Sequence, residues 1–137
     1  MTQPTRVDFT PETEELLRTL YKRNGPLMFH QSGGCCDGSS PMCYPAGEFR
    51  TGGADVMLQE ISVDGIAEPI RFWMSLEQFE YWKHTHLTID VVPGRGGGFS
   101  LESTENNLFL TRSRMYTEDE WAVLKDAPVP TGLEVNA

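Results

Sequence analysis

Apolar residues recur every three to four positions near the start of the chain, which predicts an amphipathic helix. Thr10 suits its N-cap, Pro11 suits the first helical position, and Gly25 suits the position just after its end. The apolar stripe consists of Leu16, Leu17, Leu20 and Tyr21. We expect this stripe to pack against the core.

Short segments rich in β-branched and aromatic residues follow, separated by Gly, Pro, Asn and Asp, which is the pattern of strands and turns. The predicted strands are 27–31, 56–62, 66–74, 87–92, 99–102 and 108–112. Asp64-Gly65 predicts a hairpin between the second and third of them. Glu105-Asn106-Asn107 predicts a second hairpin, between the last two strands.

Two further short helices are predicted from their capping patterns. Ser75 precedes Gln78 by three residues, and Thr117 precedes Glu120 by the same spacing. In a capping box the hydroxyl accepts a hydrogen bond from the third helical amide while the third side chain reaches back to the cap. Each pair therefore indicates where a helix begins.

Strands outnumber helices and consecutive strands are linked by hairpins, so we expect a mainly antiparallel sheet. The predicted fold is a single α+β domain over residues 1–137, its sheet curled toward a half-barrel, with a few short helices. The segments 1–8 and 128–137 are expected to be flexible, because chain ends fray unless they are packed.

Composition narrows the class of protein. The chain has 137 residues, of which 39% are hydrophobic and 23% charged, as in ordinary globular domains. Its formal net charge of −9 would repel phosphate backbones, so nucleic-acid binding is not expected. No apolar run reaches the roughly 18–20 residues that span a bilayer, and the first residues lack an apolar export signal. We expect a soluble cytoplasmic protein, and its oligomeric state stays open.

The cysteines are the most informative feature of the sequence. Cys35, Cys36 and Cys43 are the three cysteines of the chain, and they fall within nine residues of a Gly- and Ser-rich segment. Thiolates are soft ligands, so three of them suit Cu(I), whereas three with a histidine would suit zinc. The spacing matches neither a zinc ribbon nor an iron–sulfur protein. We predict a metal site at these three residues, with copper as the metal and zinc as the alternative.

Two other interpretations of the cysteines remain open. They could be small buried hydrophobes, although a Gly- and Ser-rich segment is not typical of a core. They could also be redox thiols, in which case Cys43 pairs more easily with Cys35 or Cys36 than those neighbours pair with each other. We further expect Gly34 and Gly38 to shape the segment, because glycine tolerates positive φ at little cost.

Histidines are the candidates for proton transfer. His30 lies five residues before the first cysteine, and His84 and His86 follow the second predicted helix. We take His30 and His84 as candidate catalytic residues, while His84 and His86 would share one strand face and could both contact a metal. A hydrogen-bonded structural role is the alternative for each histidine. The glycine run 94–98 is interpreted as a tight turn, because a strand rather than a helix follows it.

Four longer segments carry a resemblance to a known family. They read FHQSGGCCDGSSPMC at 29–43, QFEYWKHT at 78–85, DVVPGRGGGFSLE at 90–102 and FLTRSR at 109–114. In these segments the chain resembles the bacterial domain-of-unknown-function family 779. Members are typically encoded beside aldehyde dehydrogenases, so the resemblance implies a place in small-aldehyde metabolism.

Two functions from different classes follow. In the first, the protein is a copper-dependent oxidoreductase that oxidises a short aldehyde, such as formaldehyde, with O2, and a histidine or carboxylate removes the proton of the aldehyde hydrate. In the second, it is a non-catalytic zinc- or copper-binding accessory protein that partners an aldehyde dehydrogenase. A thiol redox sensor is a third alternative.

Overall fold

A computed structural model describes residues 4–31, 41–48, 50–94, 101, 107–127 and 129–135. The strands are β1 (Val7–Phe9), β2 (Leu27–Gln31), β3 (Met42–Pro45), β4 (Asp55–Ile61), β5 (Ile70–Ser75), β6 (Thr85–Pro93) and β7 (Asn107–Met115). The helices are α1 (Pro11–Asn24), α2 (Leu76–Trp82), α3 (Glu118–Leu124) and α4 (Gly132–Val135). None of these helices is long and apolar enough to cross a membrane.

The strands form two sheets. One has the order β1-β6-β7 and the other the order β3-β2-β5-β4. The β2–β3, β4–β5 and β6–β7 pairs are antiparallel, whereas β1–β6 and β2–β5 are parallel. The predicted α+β class with mainly antiparallel pairing is confirmed, and within the described residues the two sheets do not close into a barrel.

Helix boundaries follow the predicted caps. The Thr10 hydroxyl accepts a hydrogen bond from the Thr13 amide, and Gly25 ends α1 with a φ of +76°, a conformation that glycine adopts without strain. The complete capping box of α3 is formed by Thr117 and Glu120. At α2 the Ser75 hydroxyl accepts from the Gln78 amide. The predicted starts of α1, α2 and α3 are therefore confirmed.

One predicted hairpin is confirmed, and the other lies largely outside the described residues. β4 and β5 pair antiparallel, although β5 begins at Ile70, so the connection is longer than Asp64-Gly65 alone. β7 pairs antiparallel with β6, in register from Pro93–Asn107 to Thr85–Met115. Apart from Leu101, the predicted strand 99–102 and its turn up to residue 106 lie outside the described residues.

The core lies where the two sheets face each other. Phe29 of β2 contacts one ring from its own sheet and two from the other, with centroid distances of 5.7 Å to Phe72, 5.5 Å to Phe9 and 5.1 Å to Phe109. Complete burial of such a side chain stabilises the fold by about 1.5–3 kcal/mol. The faces pointing away from this core are therefore the ones available to build a site.

Both ends of the chain carry elements in segments that we expected to be flexible. Val7 is fully buried, and β1 pairs with β6. Near the other end, Thr131 forms a bridge to Val56, and the Met57 amide donates to the Pro130 carbonyl at 2.8 Å. These contacts attach parts of the two terminal segments to the sheets.

Candidate functional site

A buried histidine–carboxylate pair lies at the carboxyl end of β2. Nε2 of His30 is 2.7 Å from Oδ1 of Asp55, and the histidine is only 2% exposed. β2 and β5 are parallel neighbours, and β4 begins beside the end of β5. The topology therefore brings His30 and Asp55 to one sheet edge although 25 residues separate them in sequence.

The carboxylate orients the imidazole. Oδ2 of Asp55 accepts a hydrogen bond from the Gly52 amide at 3.0 Å, which fixes the carboxylate plane. An ionised carboxylate can only accept, so Nε2 of His30 donates to it. This arrangement of base and orienting acid is used in general base catalysis.

Cys43 points away from this pair. In the antiparallel β2–β3 ladder Phe29 lies opposite Cys43 and His30 lies opposite Met42. Since successive side chains of a strand point to opposite faces, Cys43 shares the core face with Phe29, and it is fully buried in the hydrophobic cluster. His30 lies on the opposite face, which we call the outer face.

Cys35 and Cys36 lie outside the described residues, as do Gly34 and Gly38, so the three-thiolate site stays a prediction. The strands before and after that segment, β2 and β3, pair with each other, and His30 lies opposite Met42. Among the residues that the structure describes, no group of three or more His, Cys, Asp and Glu side chains is placed to hold a metal ion.

His84, the second catalytic candidate, occupies a different place. Its exposed ring lies 4.5 Å from the ring of Trp121 in α3. Tyr116 stacks on the same tryptophan at 6.3 Å, and burial raises the pKa of that tyrosine. The structure therefore does not bring His84 to the His30–Asp55 pair.

His86 forms a second histidine–carboxylate pair, which sequence reasoning missed. Its Nε2 is 2.7 Å from Oδ2 of Asp8, and the ring is 7% exposed. From the sequence, His84 and His86 were expected to contact one metal together. In the structure His86 contacts Asp8, whereas His84 contacts Trp121. Neither carboxylate partner could be predicted from local spacing, since Asp8 lies 78 residues from His86.

A groove of about 640 Å³ opens on the outer face. Met28 and Trp73 are among the residues that line it. In the β2–β5 pair, Trp73 lies directly beside His30. Thr51 also lines the groove. The next residue is Gly52, and its amide donates a hydrogen bond to Asp55. The groove and the His30–Asp55 pair therefore share one side of the sheet. Nothing in the sequence pattern pointed to this groove.

Comparison with known proteins identifies a family. Residues 16–115 match the family model described as Domain of unknown function (DUF779). No curated protein and no solved structure matches the chain. The matched range includes the cysteine segment, the His30–Asp55 pair and most of both sheets. The chain therefore belongs to the DUF779 family.

Proposed function

We propose that this protein is a thiolate-metal protein of small-aldehyde metabolism that oxidises a short aldehyde, such as formaldehyde, with copper and O2. The observation that supports it best is the buried His30–Asp55 pair at the end of β2, the strand that leads into the cysteine segment, while Cys43 itself faces the other side of that sheet. The substrate class is taken from the gene neighbourhood that the resemblance implies, beside aldehyde dehydrogenases. A cytoplasmic location suits this role, because thiols stay reduced there.

The ligands we propose are Cys35, Cys36 and Cys43. Three soft thiolates fit Cu(I) better than they fit hard cations. The register of β2 and β3 supports their convergence, since residues 31–41 connect His30 to its partner Met42 and Cys43 comes next. Because Cys43 faces the core, the other two sulfurs would have to approach it from that side of the sheet.

The reaction is balanced as a two-electron oxidation. The aldehyde hydrate loses two protons and two electrons to become the carboxylic acid. O2 takes up these two protons and two electrons to become hydrogen peroxide. Bound copper would supply the redox couple between the two reactants. The part proposed for the chain itself is proton transfer, in which the imidazole of His30 accepts the proton of the hydrate hydroxyl while Asp55 stabilises the imidazolium.

The test begins with anaerobic purification, metal analysis by mass spectrometry and a thiol count. The protein loaded with Cu(I) is then given formaldehyde, and O2 consumption and formate are followed. We expect turnover above that of free copper. If the protein contains zinc instead of copper and shows no turnover, the result supports an accessory protein of an aldehyde dehydrogenase. If it contains no metal and loses free thiols reversibly, the result supports a redox sensor.

A matched pair of variants tests the role of His30. His30→Gln should abolish turnover while copper content is retained. His86→Gln is the control, since His86 is also a buried histidine 2.7 Å from a carboxylate but has no proposed catalytic role. Equal turnover in the two variants would show that His30 is not the base.

A further inference from the structure

The groove on the outer face combines an apolar lining with positive charge. Pro26, Met28 and Pro69 contribute apolar surface, while Arg50 and Arg71 contribute the two guanidinium groups. Its volume of about 640 Å³ lies within the range of sites for small organic molecules, roughly 300–1,000 Å³. It is a concave site rather than a flat patch of surface.

The two arginines lack protein partners. Within the described ranges neither Arg50 nor Arg71 forms an ion pair or a side-chain hydrogen bond, and both are exposed. The chain has 20 acidic residues against 11 basic ones, so carboxylates are abundant as partners. In contrast, Arg112 pairs with Asp90 and Arg114 pairs with Glu120. Two unpaired guanidinium groups at one groove are therefore available to contact a bound anion.

Carboxylates near the groove do not neutralise these arginines. Glu68 lines the groove, but it interacts with the Tyr21 hydroxyl, and this hydrogen bond raises the pKa of the tyrosine. Glu60 lies opposite Arg71 in the β4–β5 ladder, yet the described contacts include no ion pair between them. The net negative charge of the chain acts over longer distances and is screened by salt, whereas a bound anion contacts the guanidinium groups directly.

We propose that this groove binds a small organic anion, in which a carboxylate or phosphate group contacts Arg50 and Arg71 and a short apolar body lies against Pro26, Met28 and Pro69. The planar guanidinium presents paired donors that match either oxyanion. This site is independent of the aldehyde oxidation proposed above, because it needs neither the cysteines nor a metal.

The test uses the purified full-length chain and titration calorimetry with four probes: pentanoate, pentyl phosphate, uncharged pentanamide and inorganic phosphate. Binding of either pentyl anion, weakened by added salt, supports the proposal, and the tighter of the two identifies the oxyanion. Equal binding of pentanamide, or no binding of either anion in the millimolar range, overturns it. Inorganic phosphate binding as tightly as pentyl phosphate overturns the role of the apolar lining.

Variants identify the location of the bound anion. Arg50→Gln and Arg71→Gln should each weaken binding by about tenfold or more, because a charge-assisted contact is lost. Lys125→Gln removes one exposed positive charge in the region of α3, outside the groove lining, and should leave binding unchanged. Ala46→Trp should block the groove, whereas Ala122→Trp on the exposed side of α3 should not. Unchanged binding in both arginine variants overturns the proposal.

Discussion

Cys43 lies directly opposite Phe29 across the β2–β3 ladder, so its thiol faces the aromatic core while the imidazole of His30 faces the other side of the sheet. Cys43 is buried in the hydrophobic core, although it follows a Gly- and Ser-rich segment that is not typical of a core. Changes at Cys43 will therefore affect stability as well as any metal that it binds.

Cys43→Ser and Cys43→Ala should separate these two effects. Both remove the thiolate, so both should lower copper binding if Cys43 is a ligand. Only serine buries a hydroxyl among apolar side chains, which costs about 1–3 kcal/mol when it finds no partner. We expect Cys43→Ser to be the less stable variant in urea unfolding, with similar metal content in both. Copper binding equal to that of the parent in Cys43→Ala would remove Cys43 from the ligand set.

The elements that the sequence predicted well are those determined by local chemistry. Thr10, Pro11 and Gly25 define α1 through contacts a few residues apart, and Thr117 with Glu120 defines the start of α3 in the same way. Strand partners were harder, because pairing depends on burial across the whole chain. The predicted 108–112 strand is confirmed, and its pairing with β6 was not predicted.

The site was only partly predictable for the same reason. His30 was a candidate because it precedes the cysteines. Asp55 was not singled out by the sequence, and the β2–β5–β4 order places it within 2.7 Å of His30. His84 was also a candidate, but the packing of α3 gives it Trp121 as a neighbour. A residue type can suggest chemistry, but a contact between distant segments cannot be read from spacing.

Asp55→Ala should destabilise the protein by about 1–3 kcal/mol, because it leaves the buried Nε2–H of His30 without its acceptor. Asp55→Asn retains a side-chain oxygen and should cost less. Asp64→Ala serves as the control. Asp64 lies at an exposed turn, and its main-chain oxygen, which the substitution keeps, accepts a hydrogen bond from Arg18. Urea unfolding at neutral pH measures all three, and equal stability of Asp55→Ala and Asp64→Ala would contradict the expected role of Asp55.

Acid should weaken the attachment of α3. Two hydrogen bonds from Arg114 to Glu120, at 2.7 and 2.9 Å, lower the pKa of that carboxyl to about 2. Since the folded pKa lies below the unfolded value of roughly 4.3, the stabilisation is complete above that value and is lost as the pH falls toward 2. Glu120→Gln should therefore flatten this part of the stability profile. The check is to compare urea midpoints at about pH 6 and about pH 3, with Glu118→Gln as the control.

Arg6→Lys should loosen the end of α3. The buried guanidinium donates to the carbonyl oxygens of Leu124 at 2.8 Å and Ala127 at 3.2 Å, and lies 5.8 Å from the ring of Phe79. Lysine keeps the charge but lacks the planar fork that reaches both carbonyls. We expect lower stability and faster proteolysis after residue 124. Arg71→Lys, at an exposed position of β5, is the control and should show neither change.

Gly132→Ala tests whether the C-terminal segment supports the His30–Asp55 pair. A Cβ at Gly132 would lie 2.5 Å from the Gly52 nitrogen and 2.5 Å from the Thr51 carbonyl carbon, so the backbone would have to shift. Such overpacking costs about 1–3 kcal/mol. The Gly52 amide is also the one that donates to Asp55, so the shift should disturb the carboxylate that orients His30.

Gly52→Ala is the matched control, because a Cβ there meets no atom within 4 Å. We expect Gly132→Ala to unfold at lower urea concentration and to change the imidazole NMR signals of His30, with little change in Gly52→Ala. Unaltered His30 signals in a destabilised Gly132→Ala protein would show that the segment stabilises the fold without positioning Asp55.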